Sequence, residues 1–451
     1  MAHLRTTPPG LSGIELYRTL PKLRRDTLRG FTDLTARFGH VVRFKGLWTT
    51  FILTHPQDIE HVLHTNAGNY RKGRSYRVMR ESTGNGLFVS EGEFWRRQRR
   101  LAQPAFHRGR IAGFARTMAH ATAEMLAKWD LRFTRGEAFD VFSEMSALTL
   151  RIVGRTLFST ELAGETDAIS RMLAVGQDFA IRRMWQTFKL PLGWPLPAHR
   201  RFRSAMQEGD RIIYEMINER RLGATEGQPD DLLQMLMGAR DEATGEGMSD
   251  RQLRDEAFTI MVAGHETTAL TLAWTWYLLA HHPHIERKLH AETASVLKGR
   301  APTFEDLPDL KYASMVIQET LRMYPPAWAL GRTSIEADEV GGYHVPAKSE
   351  MLLFTYTTHH HADFWESPDE FIPERFAPEQ VAARQRYAYF PFGGGPRMCI
   401  GNNFALMEAQ LVLAMIAQKY RLRLVDDHTV EPDPTVTLRP RTRIVTTLER
   451  V

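Results

Sequence analysis

The sequence predicts a mainly α protein with a minor β region, an α+β chain, and three observations carry that expectation. Apolar residues recur at helical spacing over residues 110–129, 143–158, 169–181, 200–222 and 231–240, so the middle of the chain is mostly helix. The longest helical stretch opens at Ser249, where Gln252 completes a capping-box pattern, and must end before Pro283. Strand-like segments are few and short, gathered near 39–55, 333–357 and 436–450. Length alone permits one large domain or two or three.

In chain order, a helix is expected over 26–38, then strands at 41–44 and 50–54 about the Gly46 turn, and a helix over 56–65. Residues 67–89 read as an irregular, arginine-bearing loop. Residues 91–103 form a basic helix on which Trp95 and Arg99, four residues apart, share a face. Large apolar groups between 177 and 194, namely Phe179, Met184, Trp185, Phe188 and Leu190, suit either core or a flexible lid. The interior of the long helix, 257–280, carries only His265 and Glu266 as chargeable groups; a membrane span is weighed there and disfavoured, because Glu266 is costly in lipid and no second span exists. Helices follow over 283–297 and 311–324, the latter placing Glu319 and Arg322 on one face, where an ordinary salt bridge is the commonest outcome. Residues 333–336, 340, 343–346 and 351–357 read as hairpin strands about Gly341-Gly342, and His359, His360 and His361 as polar loop residues. A last long helix over 400–420 precedes closing strands at 436–448.

Composition narrows the function. Lys and Arg number 58 against 53 acidic residues, a surplus of five that does not call for nucleic acid. A single cysteine excludes intramolecular disulfides and makes a reducing cytoplasm the natural setting. Residues 1–13 lack an apolar core and carry Pro8 and Pro9, so no signal peptide or anchor helix is expected.

That cysteine, Cys399, sits in a loop of three glycines and a proline before a helix. A helix N-terminus lowers a thiol pKa and prepares a metal-ligating or nucleophilic sulfur, although a lone cysteine is also often a small buried hydrophobe. In the long helix, Ala263-Gly264-His265-Glu266-Thr267-Thr268 sets a carboxylate beside a hydroxyl. Gly264 there costs roughly 1 kcal/mol against Ala, which either close approach of a flat ligand or helix packing through small residues would offset; Glu266 in a buried ion pair and Thr267 bonded back to a carbonyl are the alternatives to a chemical role.

Four motifs in order resolve this. Residues 392–401 match F-x-x-G-x-R-x-C-x-G, 263–268 match A-G-x-[DE]-T-T, Glu319 and Arg322 match E-x-x-R, and 373–376 match P-x-R-F. The chain resembles the cytochrome P450 heme-thiolate monooxygenases over nearly its whole length. The resemblance implies a single large triangular domain over 1–451 with the long central helix over a heme b. Cys399 would be the axial iron ligand, with Phe392, Gly395 and Gly401 shaping its loop. Arg397, Trp95, Arg99 and Arg332 match the propionate contacts. Glu319, Arg322 and Arg375 would form the buried triad that holds the heme loop. Ala263 and Gly264 would let the helix open toward oxygen, with Glu266 and Thr267 as the catalytic acid and alcohol pair.

The same resemblance places Leu87, Phe88, Phe179, Met261, Val262, Ala327, Trp328 and Leu438 around an apolar pocket, with Arg74 or Arg77 able to meet a carboxylate. The substrate would be a lipophile such as a fatty acid, terpene or steroid, hydroxylated or epoxidised with one atom of O2. No flavin or iron-sulfur sequence follows Val451, so electrons are expected from a separate ferredoxin or flavodoxin with its reductase, docking on Arg96, Arg97, Arg100, Arg108 and Arg110. A cytoplasmic monomer without a membrane anchor completes the expectation. Peroxide-using or peroxide-rearranging enzymes commonly lack the acid and alcohol pair, and a heme sensor needs neither that pair nor a large apolar pocket. His360 departs from the family, which often has arginine there.

Overall fold

Ser249 caps the longest helix as its sequence predicts: its hydroxyl accepts the Gln252 N–H (3.3 Å) and the Gln252 side chain accepts the Ser249 N–H (2.8 Å). The helix, Asp250–His281, is the axis of one of two compact units in a computed structural model that describes residues 7–46, 48–186, 188–223, 231–241, 245–425 and 429–451, without the side chains at 108, 163, 166 and 167. One unit comprises Met1–Arg77 with Gln318–Cys399, and the other Val78–Ile317 with Ile400–Val451.

The second unit is helical because its central helix is apolar on all sides and must be covered all round. Val141–Leu157 packs against it most extensively, and Pro197–Leu222 and Asn402–Ala417 add further cover. Gly264 belongs to that packing, since a Cβ there would come within 3.2 Å of the Val153 side chain. Two small sheets complete the unit. Tyr420–Leu424 pairs antiparallel with Val445–Arg450, which also pairs with Phe139–Asp140, and Pro432–Pro434 pairs with Leu438–Pro440.

The first unit holds the larger sheet, six strands in the order Gly10–Ser12, Val41–Lys45, Thr49–Leu53, Glu350–Leu353, Leu330–Ser334 and Tyr70–Lys72. Its two faces bury separate apolar clusters, one around Phe51, Leu53 and Met351, the other around Phe31, Phe44 and Phe354. The expected hairpin is present, with Asp338–Val340 against Tyr343–Val345 and Gly341 and Gly342 at φ 57° and 77°. A two-residue turn needs that left-handed pair.

Several expectations are corrected. Residues 67–89 are not irregular throughout: Tyr70–Lys72 pairs with the strand ending at Ser334, and Ser75–Thr83 is helical. The strand depends on pairing with a distant segment, which its arginine-bearing local sequence conceals. The strand expected over 351–357 ends at Leu353, and Thr355–His359 turns helical. The last helix begins at Asn402 and stops at Ala417, giving way to a strand paired near the C-terminus. Strand Gly10–Ser12 and helix Gly13–Arg25 were not foreseen. His359 is fully buried rather than a polar loop residue. The reading of the N-terminus falls partly on residues 1–6, outside the described residues. Among the described residues no helix is long and apolar enough to cross a membrane.

The first turns of the central helix carry a buried ionic cluster that the sequence did not reveal. Arg254 Nε donates to Asp210 (2.6 Å) and Nη1 to Asp255 (3.0 Å), while Asp255 accepts the Asn85 N–H (2.7 Å) and Glu256 the Leu87 N–H (2.9 Å). Gly84 and Gly86 lie so close to Asp255 and Thr259 that no side chain would fit. Burial pushes the Glu256 carboxyl up to about 7, opposed by the Leu87 bond and helped by Asp255. A carboxyl raised in the folded state binds its proton more tightly than in the unfolded chain, so its contribution to stability is lost as pH rises from about 4.5 through 7. Glu256→Gln should therefore unfold at higher urea than wild type at pH 8, by on the order of 2 kcal/mol, and the difference should shrink as pH falls toward 4.5. Equal stabilities at pH 8 would contradict this.

Candidate functional site

The loop around Cys399 is built by backbone. The Gly393 N–H donates to the Phe390 carbonyl (2.9 Å), the Met398 N–H to Gly395 (3.1 Å) and the Cys399 N–H to Phe392 (3.0 Å). Gly393 and Gly395 sit at φ 72° and 61°, and a Cβ on Gly395 would fall 1.8 Å from the Leu63 carbonyl oxygen. Only glycine closes this loop. The sulfur is exposed, not a buried hydrophobe, and Gly401 is the N-cap of Asn402–Ala417. Gly393 also lies against Leu330, two residues before Arg332 on the same strand.

Glu319 and Arg322 make a fully buried pair, with Nε and Nη2 at 2.7 and 2.8 Å from the two carboxylate oxygens. Arg375 Nε stands 3.4 Å from Glu319, which also accepts the Ile372 N–H (3.0 Å). Arg322 then spends its remaining donors on the carbonyls of His359 (2.9 Å), Pro368 (2.7 Å) and Glu370 (3.0 Å). His359, missed by the sequence reading, extends this network: Nδ1 bonds the Arg322 carbonyl (3.2 Å) and Nε2 accepts the Phe390 N–H (3.0 Å) at the start of the cysteine loop. Burial holds its pKa well below the ordinary value, so the ring is neutral and can both donate and accept. His360 is likewise held down, to about 3, by burial and Arg322, and stacks on Tyr356 at 4.1 Å.

The central helix presents one accessible stretch. From Leu253 to Leu279 every residue is buried except Val262, Ala263, Gly264 and Thr267. The Thr267 hydroxyl donates to the Ala263 carbonyl (2.7 Å). Glu266 is buried and held by Arg439, whose Nε lies at 2.6 Å, by Thr437 Oγ1 (2.9 Å) and by Gln177. The buried ion pair foreseen as an alternative role for Glu266 is therefore present, and Arg439 is the partner that sequence alone did not name. Burial lowers His265 to about 4, leaving a neutral ring on Ser146 (2.8 Å). Thr268 faces Glu408, a buried acid whose carboxyl burial pushes well up; it lay unnoticed inside an apolar helix.

The remaining expected residues divide. Trp95 and Arg99 lie half-buried on Gly92–Ala102. Leu87, Phe179, Met261 and Leu438 are buried and Phe88 is exposed, all in the unit of the central helix. Phe179 stacks on Phe202 (4.2 Å), whereas Trp185, Phe188 and Leu190 are exposed, so that run is not core. Ala327 and Trp328 belong to the other unit, where Trp328 packs on Phe354 (5.6 Å). Arg74 is engaged by Glu350 (3.2 Å) rather than waiting for a ligand. Arg97 and Arg100 converge on Asp241 at 3.1 and 3.3 Å, and Arg96 pairs with Glu93, which reduces the free charge of the expected docking face; the Arg108 side chain lies outside the described residues.

The family described as Cytochrome P450 matches residues 8–447. The chain belongs to the cytochrome P450 family. It is 37% identical over 436 residues to cyclooctatin synthase of Streptomyces melanosporofaciens, covering 96% of this chain and 93% of that protein. It is 39% identical over 427 residues to cyclooctat-9-en-7-ol 5-monooxygenase of the same organism (94% and 91%), and 32% identical over 419 residues to pentalenene oxygenase of Streptomyces avermitilis (92% and 90%). This P450 is a monooxygenase that uses heme b, O2 and a redox partner to oxidise a lipophilic substrate. Its residues fit that cofactor. Arg332 is buried with its Nη1 on the Gly331 carbonyl (2.9 Å) and has no carboxylate partner among the described residues, the condition in which a guanidinium suits an incoming carboxylate. The exposed sulfur is the only thiol in the chain.

Glu319→Ala would leave Arg322 buried without its counter-ion, costing about 3 to 5 kcal/mol. The variant should lose most of its heme content at matched expression, measured as heme absorbance per protein, and melt earlier. Full heme loading with an unchanged melting temperature would overturn the triad's role.

Proposed function

We propose that this P450 hydroxylates a terpene, with Cys399 as the thiolate that would hold the heme iron and Thr267 and Glu266 as its alcohol and acid. The observation that carries the reading is the single accessible stretch between Leu253 and Leu279 of the central helix, namely Val262, Ala263, Gly264 and Thr267. Bound heme supplies the iron at which O2 is activated. Arg332, Arg397, Trp95 and Arg99 are assigned to its propionates, and Phe392, Gly395 and Gly401 to the shape of the thiolate loop. Thr267 holds a hydroxyl proton that it now gives to the Ala263 carbonyl, and it would be the group that offers a proton at the open stretch of the helix. Glu266 is restrained by Arg439, so release of that ion pair is the motion that would let the carboxylate take a proton from solvent and pass it on. Both units are proposed to belong to one P450 domain over 1–451, since the family match runs through all their segments.

Terpenes are favoured among lipophiles for two reasons. Two relatives are named as a monooxygenase of cyclooctat-9-en-7-ol and an oxygenase of pentalenene, and both compounds belong to the terpene class. Engagement of Arg74 by Glu350 also removes one of the two cations expected to hold a fatty-acid carboxylate. Leu87, Phe88, Phe179, Met261, Val262, Ala327, Trp328 and Leu438 remain the proposed lining. A separate ferredoxin or flavodoxin with its reductase is proposed as electron donor to a cytoplasmic monomer, docking near Arg100 and Arg110.

A panel of sesquiterpene and diterpene hydrocarbons and alcohols, titrated against the heme-loaded enzyme beside fatty acids and steroids, should shift the heme spin state only with terpenes. A shift with fatty acids alone would reject the terpene assignment. Thr267→Ala should lower product per reductant consumed by about tenfold or more while oxygen uptake continues, and retained coupling would remove Thr267 from the mechanism. Electron transfer from a ferredoxin should slow as ionic strength rises; a rate indifferent to salt and to Arg100→Glu with Arg110→Glu would dismiss that docking face.

A further inference from the structure

Three side chains with metal-ligating atoms converge in the sheet-bearing unit, apart from every residue assigned to heme, oxygen or substrate. His40 follows the helix Thr27–Phe38, and His361 and Asp363 follow the helix Thr355–His359. Their ligand atoms all lie within 4.8 Å of one another. His40 Nε2 is 3.2 Å from Asp363 Oδ2, and His361 Nδ1 is 3.7 Å from the same oxygen. A tetrahedral zinc with bonds near 2.0 to 2.1 Å separates its ligand atoms by roughly 3.3 Å, so two of the three edges need little adjustment.

The surroundings orient these groups. His40 Nδ1 bonds Thr54 Oγ1 (3.1 Å), which leaves Nε2 facing Asp363, the arrangement by which ligating imidazoles are fixed through their second nitrogen. Phe364 lies against the rings of His40 and His361 at centroid distances of 5.4 and 5.3 Å. Both imidazoles are partly buried, with 26% and 20% of their side chains exposed, while the Asp363 carboxylate is open at 61% and gives solvent access. Binding would exchange two contacts, the 3.2 Å hydrogen bond between His40 Nε2 and Asp363 Oδ2 and the 3.2 Å hydrogen bond from the Asp363 N–H to His361 Nδ1.

We propose that His40, His361 and Asp363 form a binding site for a late first-row divalent cation, zinc in particular, separate from the heme. Two imidazoles and one carboxylate match that class of metal and not Mg2+ or Ca2+, which take oxygen ligands. Water completes the coordination. The cation would tie the segment before strand Val41–Lys45 to the segment that follows His359.

The test is calorimetric titration of the heme-loaded enzyme with ZnCl2, with MgCl2 as control. One zinc per chain is expected, with a rise in melting temperature, no heat from Mg2+ and an unchanged Soret band, which separates this site from displacement at Cys399. Affinity should fall tenfold or more in His40→Ala and in Asp363→Asn; the latter keeps the side-chain shape, so it reads ligand loss even if His40→Ala folds poorly. Absence of binding, or affinity unchanged in both variants, would overturn the proposal and, in the second case, place the zinc on other histidines among the chain's 18.

Discussion

The sheet-bearing unit depends on the pairing of Glu319 with Arg322. Two charges are taken fully out of water, and the desolvation cost is offset only because every donor of the guanidinium and both carboxylate oxygens find partners. The partners are backbone carbonyls at 359, 368 and 370 and an amide at 372, all in a segment with little regular secondary structure of its own. An ion pair on one helix thus substitutes for the hydrogen-bond ladder the segment lacks. Through neutral His359 the same network reaches Phe390, where the cysteine loop begins. That chain of satisfied donors ends at the residue from which the loop to Cys399 departs.

The helical unit obeys a different constraint. A helix covered on all sides can bury large apolar groups such as Trp274 and Trp276, but it carries charged ones only where they are neutralised. His265 is deprotonated by burial, Glu266 is paired to Arg439, and the hydroxyls of Thr267, Thr268, Thr271 and Thr275 bond back to carbonyls four residues earlier. What remains accessible is a short stretch of small residues and one threonine. Gly264 serves the helix packing there, through Val153, so the cost of a glycine in a helix interior is offset at least in part by close approach of a neighbouring helix.

Much of the helical skeleton was legible because its signals are local. The capping box at Ser249, the proline at 283 and 3.6-residue periodicity each act within a few residues. Short strands were less legible: Tyr70–Lys72 and Tyr420–Leu424 exist because distant segments pair with them, and no local pattern announces that. The histidines at 359–361 misled for a similar reason. A run of three polar residues suggests solvent, yet the first is buried by hydrogen bonds to residues 37 positions before and 31 after it.

For the site, residue type and spacing narrowed the chemistry, and the resemblance carried by the four motifs together implied the rest: one cysteine in a loop that only glycines can close, a carboxylate next to a threonine, and a glutamate three residues before an arginine. Those choices are local and chemical, so they survive in the linear order. Tertiary structure decided which charges are free. It committed Arg74 to Glu350, Arg97 and Arg100 to Asp241 and Glu266 to Arg439, and it left Arg332 buried without an acid among the described residues. Coulomb pairing depends on distance in space, and the sequence carries no record of which opposite charge will be near once the chain has folded.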